Sequence, residues 1–387
     1  MAKTFSVQEQ RFLGGITLTM SLRQLGLLLV MPFLSVYALN LEGGSTALAG
    51  LAIGLYGLTQ AVFQIPNGLI SDRVGRKPVV LITMSIYTAG LALAALSTNI
   101  HLLLIARALQ GAGAVSAVLF SWIGDEIPED RRNRAMAYPG MFVGITSVFS
   151  FIVGPLLVHF VNVSQVFWIC TGLSALSVLY VAFMMRGPKR QSEVNRLSFS
   201  EFRMVISTGR FARYLATGFS INYTLTSIFF LIPLILDHTG QTSHMWMVFV
   251  PSTLLGIPVM MRASKAADHY GDHRMIVLGV ILLLISTVLL SFHPFVIIIL
   301  SALFFFPGYM ILTTLLPAGV TKLADQHLRG TVTATFNTFQ FLGSFAGSLV
   351  TGIFYGIHPF YAILVLGVLL GLILVFQLSA PTQKRTE

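Results

Sequence analysis

Residues 12–41 contain a single charged side chain, Arg23, and apolar runs of this kind recur along the whole 387-residue chain. A run of at least ~18 apolar residues is long enough to cross a ~30 Å hydrocarbon core as a helix. In lipid the backbone must satisfy its own hydrogen bonds, so only helices and closed barrels span it, and runs this long are helices. Twelve spans are predicted, over residues 12–39, 47–70, 78–97, 101–123, 134–158, 165–185, 211–236, 245–264, 274–292, 295–318, 331–356 and 360–379. A charged fraction of 10%, against about 25% in soluble domains, excludes a water-soluble fold. The run that follows the polar Met1–Arg11 continues to about Leu39. That exceeds the ~7–15-residue core of a signal peptide, so it reads as the first span. Cys170 is the single cysteine, which leaves no disulfide and no cysteine zinc site.

The longest polar stretch, Arg186 to Arg213, falls between spans six and seven. The fold class expected is therefore an all-α membrane protein, twelve transmembrane helices in two six-helix bundles. The domains are residues 1–185, a linker 186–210, and residues 211–387 with a short tail. Of the 24 Lys and Arg residues, Arg23 and Arg107 lie deep within spans. The others fall at the N-terminus, at or within the even-numbered loops, or in the tail. Odd-numbered loops hold Glu42, Asp237, His101, His159, His238, His244, His293 and His358 instead. By the positive-inside rule both termini and every even loop are cytoplasmic. The net charge of +10 is then a topology signal, and no nucleic-acid partner is expected. Seven bases in the central stretch against Glu193 and Glu201 also suit a linker resting on anionic lipid.

The two halves echo each other. The loop after span two reads DRVGRK, Asp72 to Lys77, and the loop after span eight reads DHYGDHR, Asp268 to Arg274. Asp-x-x-Gly followed by bases at the same ordinal loop of each half supports a parallel duplication, a known transporter plan. GLISDRVGRK, carrying Gly68, Asp72, Arg73, Gly75, Arg76 and Lys77, resembles motif A of the major facilitator superfamily. RALQGAGA in span four, with Arg107, Gln110 and Gly111, resembles its motif B. Motif C is partly present in span five as Gly140, Gly144, Gly154 and Pro155, followed by Leu156 and Leu157 where a further small residue is usual. Glycines at i and i+4 permit close helix approach and Pro155 permits a bend, so packing alone also accounts for them. LGLLLVMPFLSVYAL and GTVTATFNTFQFLGS are similar to bacterial inner-membrane members of the superfamily. Such members can carry a soluble C-terminal domain, for which the residues after span twelve are too few.

The resemblance implies a conformational latch in the loop after span two. In the family's fold this loop faces span eleven, whose start here reads RGTVTATFN. A helix N-terminus, with roughly half a positive charge, favours a nearby aspartate by ~0.3–1 kcal/mol. Arg76 is expected to pair with Asp72 and with Asp125 at the same end of span four. The plainer alternative is that Arg73, Arg76 and Lys77 only enforce topology.

A mid-membrane arginine costs at least ~2.5–3.5 kcal/mol and needs a cavity or a partner. Arg23 and Arg107 are therefore candidates to hold an anionic group or to set a neighbour's pKa, with a structural hydrogen bond to a neighbouring helix as the plainer alternative for each. No Asp or Glu lies inside the twelve predicted spans. Further polar candidates for a cavity lining are Gln24, Tyr56, Gln60 and Gln64 in the first half, and Asn222, Tyr223, Tyr309, Asn337 and Gln340 in the second. Phe229, Phe230, Phe305 and Phe341 are candidate apolar walls.

The function expected is secondary active transport of small amphiphilic molecules by alternating access, as a proton-linked exporter in a bacterial inner membrane. A uniporter or symporter for anionic or neutral molecules is the alternative, and a non-transporting membrane sensor the alternative of another class. Partners are a small-molecule substrate, protons as coupling ion and membrane lipid, with the chain acting as a monomer. No catalytic set or metal motif is visible, and no Walker motif, so neither an enzyme nor a cofactor is expected.

The distribution of bases fixes a topology experiment. In a Cys170→Ser background, Glu42→Cys and Asp237→Cys should react with impermeant thiol reagents from outside the cell. Lys77→Cys and Lys265→Cys should react only from inside; labelling of Lys77→Cys from outside reverses the orientation.

Overall fold

The computed structural model describes residues 5–157, 160–185, 187, 208–323 and 329–379, the side chains of Asn133, Arg329 and Gly330 excepted. Four sequence expectations therefore lie outside it: His159, most of the 186–210 linker with Glu193 and Glu201, the Arg329 side chain that opens RGTVTATFN, and the tail from residue 380.

Among the described residues twelve helical segments are long and apolar enough to cross a membrane. They are Val7–Asn40, Thr46–Val74, Arg76–Ala95, Ile100–Glu126, Glu129–Leu157, Val163–Met184, Gly209–His238, Thr242–Tyr270, Asp272–Leu289, Phe295–Lys322, Thr331–Ile357 and Pro359–Leu378. Each predicted span has its counterpart, and these are spans one to twelve below. The largest difference in extent lies at the basic ends. Span two runs on to Val74, span four to Glu126 and span eight to Tyr270. Apolarity stops where the hydrocarbon stops, but the helical hydrogen bonds do not need lipid and continue past it. Asp72 and Asp125 thus sit in last helical turns, and the expected loop of seven residues shrinks to Gly75 alone.

That single-residue connection requires glycine. Gly75 has φ 103° and ψ 153°, and Gly271, the one residue between spans eight and nine, has φ 91° and ψ 145°. Only glycine, lacking a Cβ, adopts that region without strain. The same backbone at the same place in both halves is what a duplication leaves.

The chain divides into two compact units, Met1–Arg196 and Leu197–Glu387. Within the first, span one packs on span five, two on four, and three on four and six. Within the second the same pattern returns as seven on eleven, eight on ten, and nine on ten and twelve. Ser6 begins span one with a capping box, its Oγ accepting from the Glu9 N–H while its own N–H donates to the Glu9 carboxylate.

Spans one and four are interrupted, which their apolarity conceals. Span one is helical over Val7–Leu28, passes through a short 3₁₀ turn at Met31–Phe33 that includes Pro32, and resumes over Leu34–Asn40. Span four is helical over Ile100–Ala112 and Ser116–Glu126. A break in hydrocarbon exposes carbonyls that water cannot reach. Here Asn67 of span two supplies the donors, its Nδ2 lying 3.2 Å from Ala112 O and 2.9 Å from Ala114 O. Just before the break, Gly111 lets span four press on span two. A Cβ there would lie 1.9 Å from Thr59 Oγ1 and 2.2 Å from Tyr56 O.

Motif C behaves otherwise. A Cβ at Gly140 or Gly144 meets nothing within 4 Å among the described residues, so neither glycine makes a close helix approach within the first unit. Gly154 does make one, since its Cβ would lie 2.9 Å from Leu29 O, beside the break in span one.

Gly111→Leu should therefore destabilise the protein by about 1–3 kcal/mol through overpacking, while Gly144→Ala is neutral. Thermal unfolding in detergent checks this; equal melting temperatures for the two variants contradict the assignment.

Candidate substrate and coupling site

Span two presents Tyr56, Gln60, Gln64, Asn67 and Ser71 at intervals of four, four, three and four residues, and all five are buried. Spacings of three and four place side chains on one helix face, so a largely apolar span carries a continuous polar stripe inside the first unit. Arg23 of span one meets the upper part of that stripe. Its Nη2 donates to Tyr56 Oη at 2.7 Å and to Gln60 Oε1 at 2.8 Å, and its Nη1 to Ser116 Oγ at 3.4 Å. Tyr87 of span three donates its hydroxyl to the Arg23 carbonyl at 2.9 Å. Arg23 retains 5% of its surface, and its Nε has no partner among the described residues. Every acceptor named is neutral, so the charge is solvated by dipoles rather than neutralised.

Arg107, for which the sequence offered both a ligand and a structural reading, lies in different surroundings. It has no accessible surface at all. Its Nε donates to Ala52 O at 3.0 Å and its Nη1 to Gln110 Oε1 at 2.6 Å, while Gln110 Nε2 reaches Gly90 O at 3.0 Å. The chain of bonds ties spans two, three and four together. Tyr56 lies between the two cations, with the guanidinium carbons of Arg23 and Arg107 5.8 Å and 5.0 Å from its ring centre. In this structure Arg107 braces the helices, and Arg23 is the cation with a surface left.

At the basic end, Arg76 collects three partners. Its Nε donates to Asp125 Oδ2 at 2.7 Å, its Nη1 to Ser71 Oγ at 2.6 Å, and Nη1 also pairs with Asp72. Both pairings expected from sequence are present. A cation at the N-terminus of span three opposes the helix dipole, and two carboxylates offset that. Lys77 has a role the sequence did not reveal: its Nζ donates to Ala182 O and Met185 O, each at 2.7 Å. Those carbonyls end span six, where an orphan acceptor and the negative dipole end both favour an ammonium. Arg73 is exposed and Gly68 supplies a carbonyl to Ser71.

Among the remaining candidates, Gln24 donates to Ser147 Oγ of span five at 3.2 Å. Asn222 lies 3.5 Å from its own Gly218 carbonyl, Tyr223 is buried beside Phe219, and Tyr309 stacks on Phe305 at 5.6 Å. Asn337 and Gln340 are half-buried on span eleven. Phe229, Phe230 and Phe305 are fully buried; Phe229 packs with Phe249 and Phe306, and Phe305 with Phe306. Those three are core of the second unit, not cavity walls; Phe341 is half-buried. The residues sequence reasoning passed over are Ser116, Tyr87 and Asn67. Asn67 carried a signal, as a member of the stripe.

Comparison with known proteins agrees with this architecture. The family model described as Major Facilitator Superfamily matches residues 16–348. The inner membrane transport protein YajR of Escherichia coli (strain K12) is 31% identical over 92% of this chain and 80% of its own length. The multi-drug resistance efflux pump PmrA of Streptococcus pneumoniae is 27% identical over 65% of each chain. Among solved structures, a bacterial homologue of the human lysosomal transporter Spinster superposes with a TM-score of 0.78 at 12% identity, covering 97% of both chains. This multi-pass membrane protein is a transporter, not an enzyme, and the chain belongs to the major facilitator superfamily.

Proposed function

We propose that the protein exports small amphiphilic molecules across a bacterial inner membrane, with both termini cytoplasmic, by alternating access coupled to protons. Anionic or neutral cargo is favoured over permanent cations. Export is supported by the similarity to the efflux pump PmrA, and the inner membrane by the similarity to the inner membrane transport protein YajR.

The observation that carries the cargo preference is Arg23, buried in span one among the neutral acceptors Tyr56, Gln60 and Ser116. At an effective dielectric of ~20, a charge ~6 Å from a bound unit charge contributes roughly 3 kcal/mol. That disfavours a cation by about a hundredfold and favours an anion similarly. Gln24, Asn222, Tyr223, Tyr309, Asn337 and Gln340 remain proposed lining residues. Uniport or symport of the same cargo is the second reading, because a fixed charge selects cargo but not direction.

Two outcomes follow. In proteoliposomes with an imposed pH gradient, anionic and neutral amphiphiles should move faster than quaternary ammonium dyes, and Arg23→Gln should abolish the anion preference while Arg23→Lys restores part of it. Efficient export of a permanent cation that survives Arg23→Gln contradicts the reading, and binding without flux points to a sensor. The second outcome concerns the Asp72–Arg76–Asp125 cluster, proposed as the latch that stabilises one state of the cycle. Asp72→Asn removes one carboxylate from Arg76, a loss of about 1–3 kcal/mol, and should slow turnover roughly tenfold at normal expression. Wild-type flux in Asp72→Asn would reduce the cluster to a topology signal.

A further inference from the structure

We infer that the break in span four holds a carboxylate: the acid group of the cargo binds between the Arg23 guanidinium and the first-turn N–H groups of Ser116–Glu126. The inference rests on the amphiphile reading above and specifies the group recognised.

A broken helix orphans two sets of backbone groups, and here they are treated unequally. The carbonyls of Ala112 and Ala114 accept from Asn67. The N–H groups on the other side have no such provision. No side chain caps this helix start, and Leu119 is the residue whose N–H first reaches back, to Val115 O at 3.0 Å. Ser116, Ala117 and Val118 therefore present N–H donors with no intrahelical acceptor. The helix is 11 residues long, so its N-terminus also carries the partial positive charge that attracts anions.

Arg23 is the independent observation. It is 95% buried, taken from its 5% exposure, its Nε has no partner among the described residues, and its Nη1 is aimed at Ser116 Oγ, on the first residue of that helix. The guanidinium thus reaches the first residue of that helix, close to the midpoint of span one. Arg23 is also held still: Tyr87 fixes its carbonyl, Tyr56 and Gln60 take its Nη2, and the rings of Tyr56 and Tyr87 stand 5.8 Å and 5.7 Å from the guanidinium carbon. Ser116 and Ala117 are only half-buried, so the helix start is reachable. One formal positive charge plus a fraction of another matches a monoanion, and bidentate charge-assisted hydrogen bonds match a carboxylate.

The test uses the purified full-length protein in detergent and three probes sharing one tail: 4-phenylbutyrate, its primary amide and its trimethylammonium analogue. Titration calorimetry should show the carboxylate binding at least about tenfold tighter than the amide, an increment of about 1.4 kcal/mol. Arg23→Gln should remove that preference, so that carboxylate and amide bind alike. Ser116→Asp places an internal carboxylate on the same donors, so it should also remove the preference and raise the melting temperature. Should Arg23→Gln fail to fold, Ser116→Asp alone decides. Equal affinity for carboxylate and amide, or a preference that survives Ser116→Asp with a lowered melting temperature, overturns the subsite and leaves the amphiphile reading standing. No binding of any of the three probes overturns the amphiphile reading and the subsite with it.

Discussion

A backbone crossing hydrocarbon must find partners for its own polar groups, and the first unit is organised around two places where it departs from a plain helix. An uninterrupted span needs nothing from its neighbours except van der Waals contact. A broken one needs donors and acceptors delivered at the right depth. Asn67 delivers donors to the break in span four, and it reaches that depth because Gly111 allows spans two and four to touch backbone to side chain. Beside the break in span one, Gly154 gives span five a similar approach to Leu29. Close packing here is the condition that lets the helices be irregular, and irregular helices are where a membrane protein can offer backbone groups to a ligand.

The two buried arginines illustrate how one cost is met in two ways. Desolvating a guanidinium is expensive in either place, and neither is paired with a carboxylate in the contacts described above. Arg107 is enclosed completely; its bond to Ala52, and the bond its partner Gln110 makes to Gly90, join neighbouring spans. Arg23 is gathered by side chains whose acceptors are phenolic, amide and hydroxyl oxygens, and its Nε is left over. Tyr56, between them, offers a ring face to both. An arginine that joins helices through backbone and amide oxygens is a brace. One with donors to spare and a little surface is suited to a guest.

Most of the fold was legible in the sequence because hydropathy and helix length report on the same quantity, bilayer thickness. All twelve spans could be read this way, with errors concentrated at the basic ends, where helices outlast the apolar run. The breaks were not legible, since Leu28–Val30 and Gly113–Val115 are as apolar as their surroundings, and hydropathy is blind to backbone direction. Arg23, Arg76 and Asp125 stood out because charge is rare in this chain. The different surroundings of Arg23 and Arg107 were not legible, because exposure depends on neighbours that a single sequence does not arrange. The stripe on span two was present in the spacing of Tyr56, Gln60, Gln64, Asn67 and Ser71. Reading it required asking which face each residue occupied, not only which span.

The duplicated turns separate what backbone geometry fixes from what side-chain chemistry leaves free. Gly75 and Gly271 share one conformation, and in each half the next residue reaches the end of the neighbouring long span. In the first half that residue is Arg76, bonded to Asp125 at the end of span four. In the second it is Asp272, 3.1 Å from Lys322 at the end of span ten. The positions correspond and the charges are exchanged. The environments differ as well, for Arg76 and Asp125 expose 9% and 5% of their side chains while Lys322 exposes 67%. An exposed pair of this kind contributes at most about 1 kcal/mol, whereas breaking a buried one leaves an uncompensated charge and costs several times more. The turn dictates that a contact forms there in both units. Burial decides that the first unit's contact is the one whose loss the protein would feel.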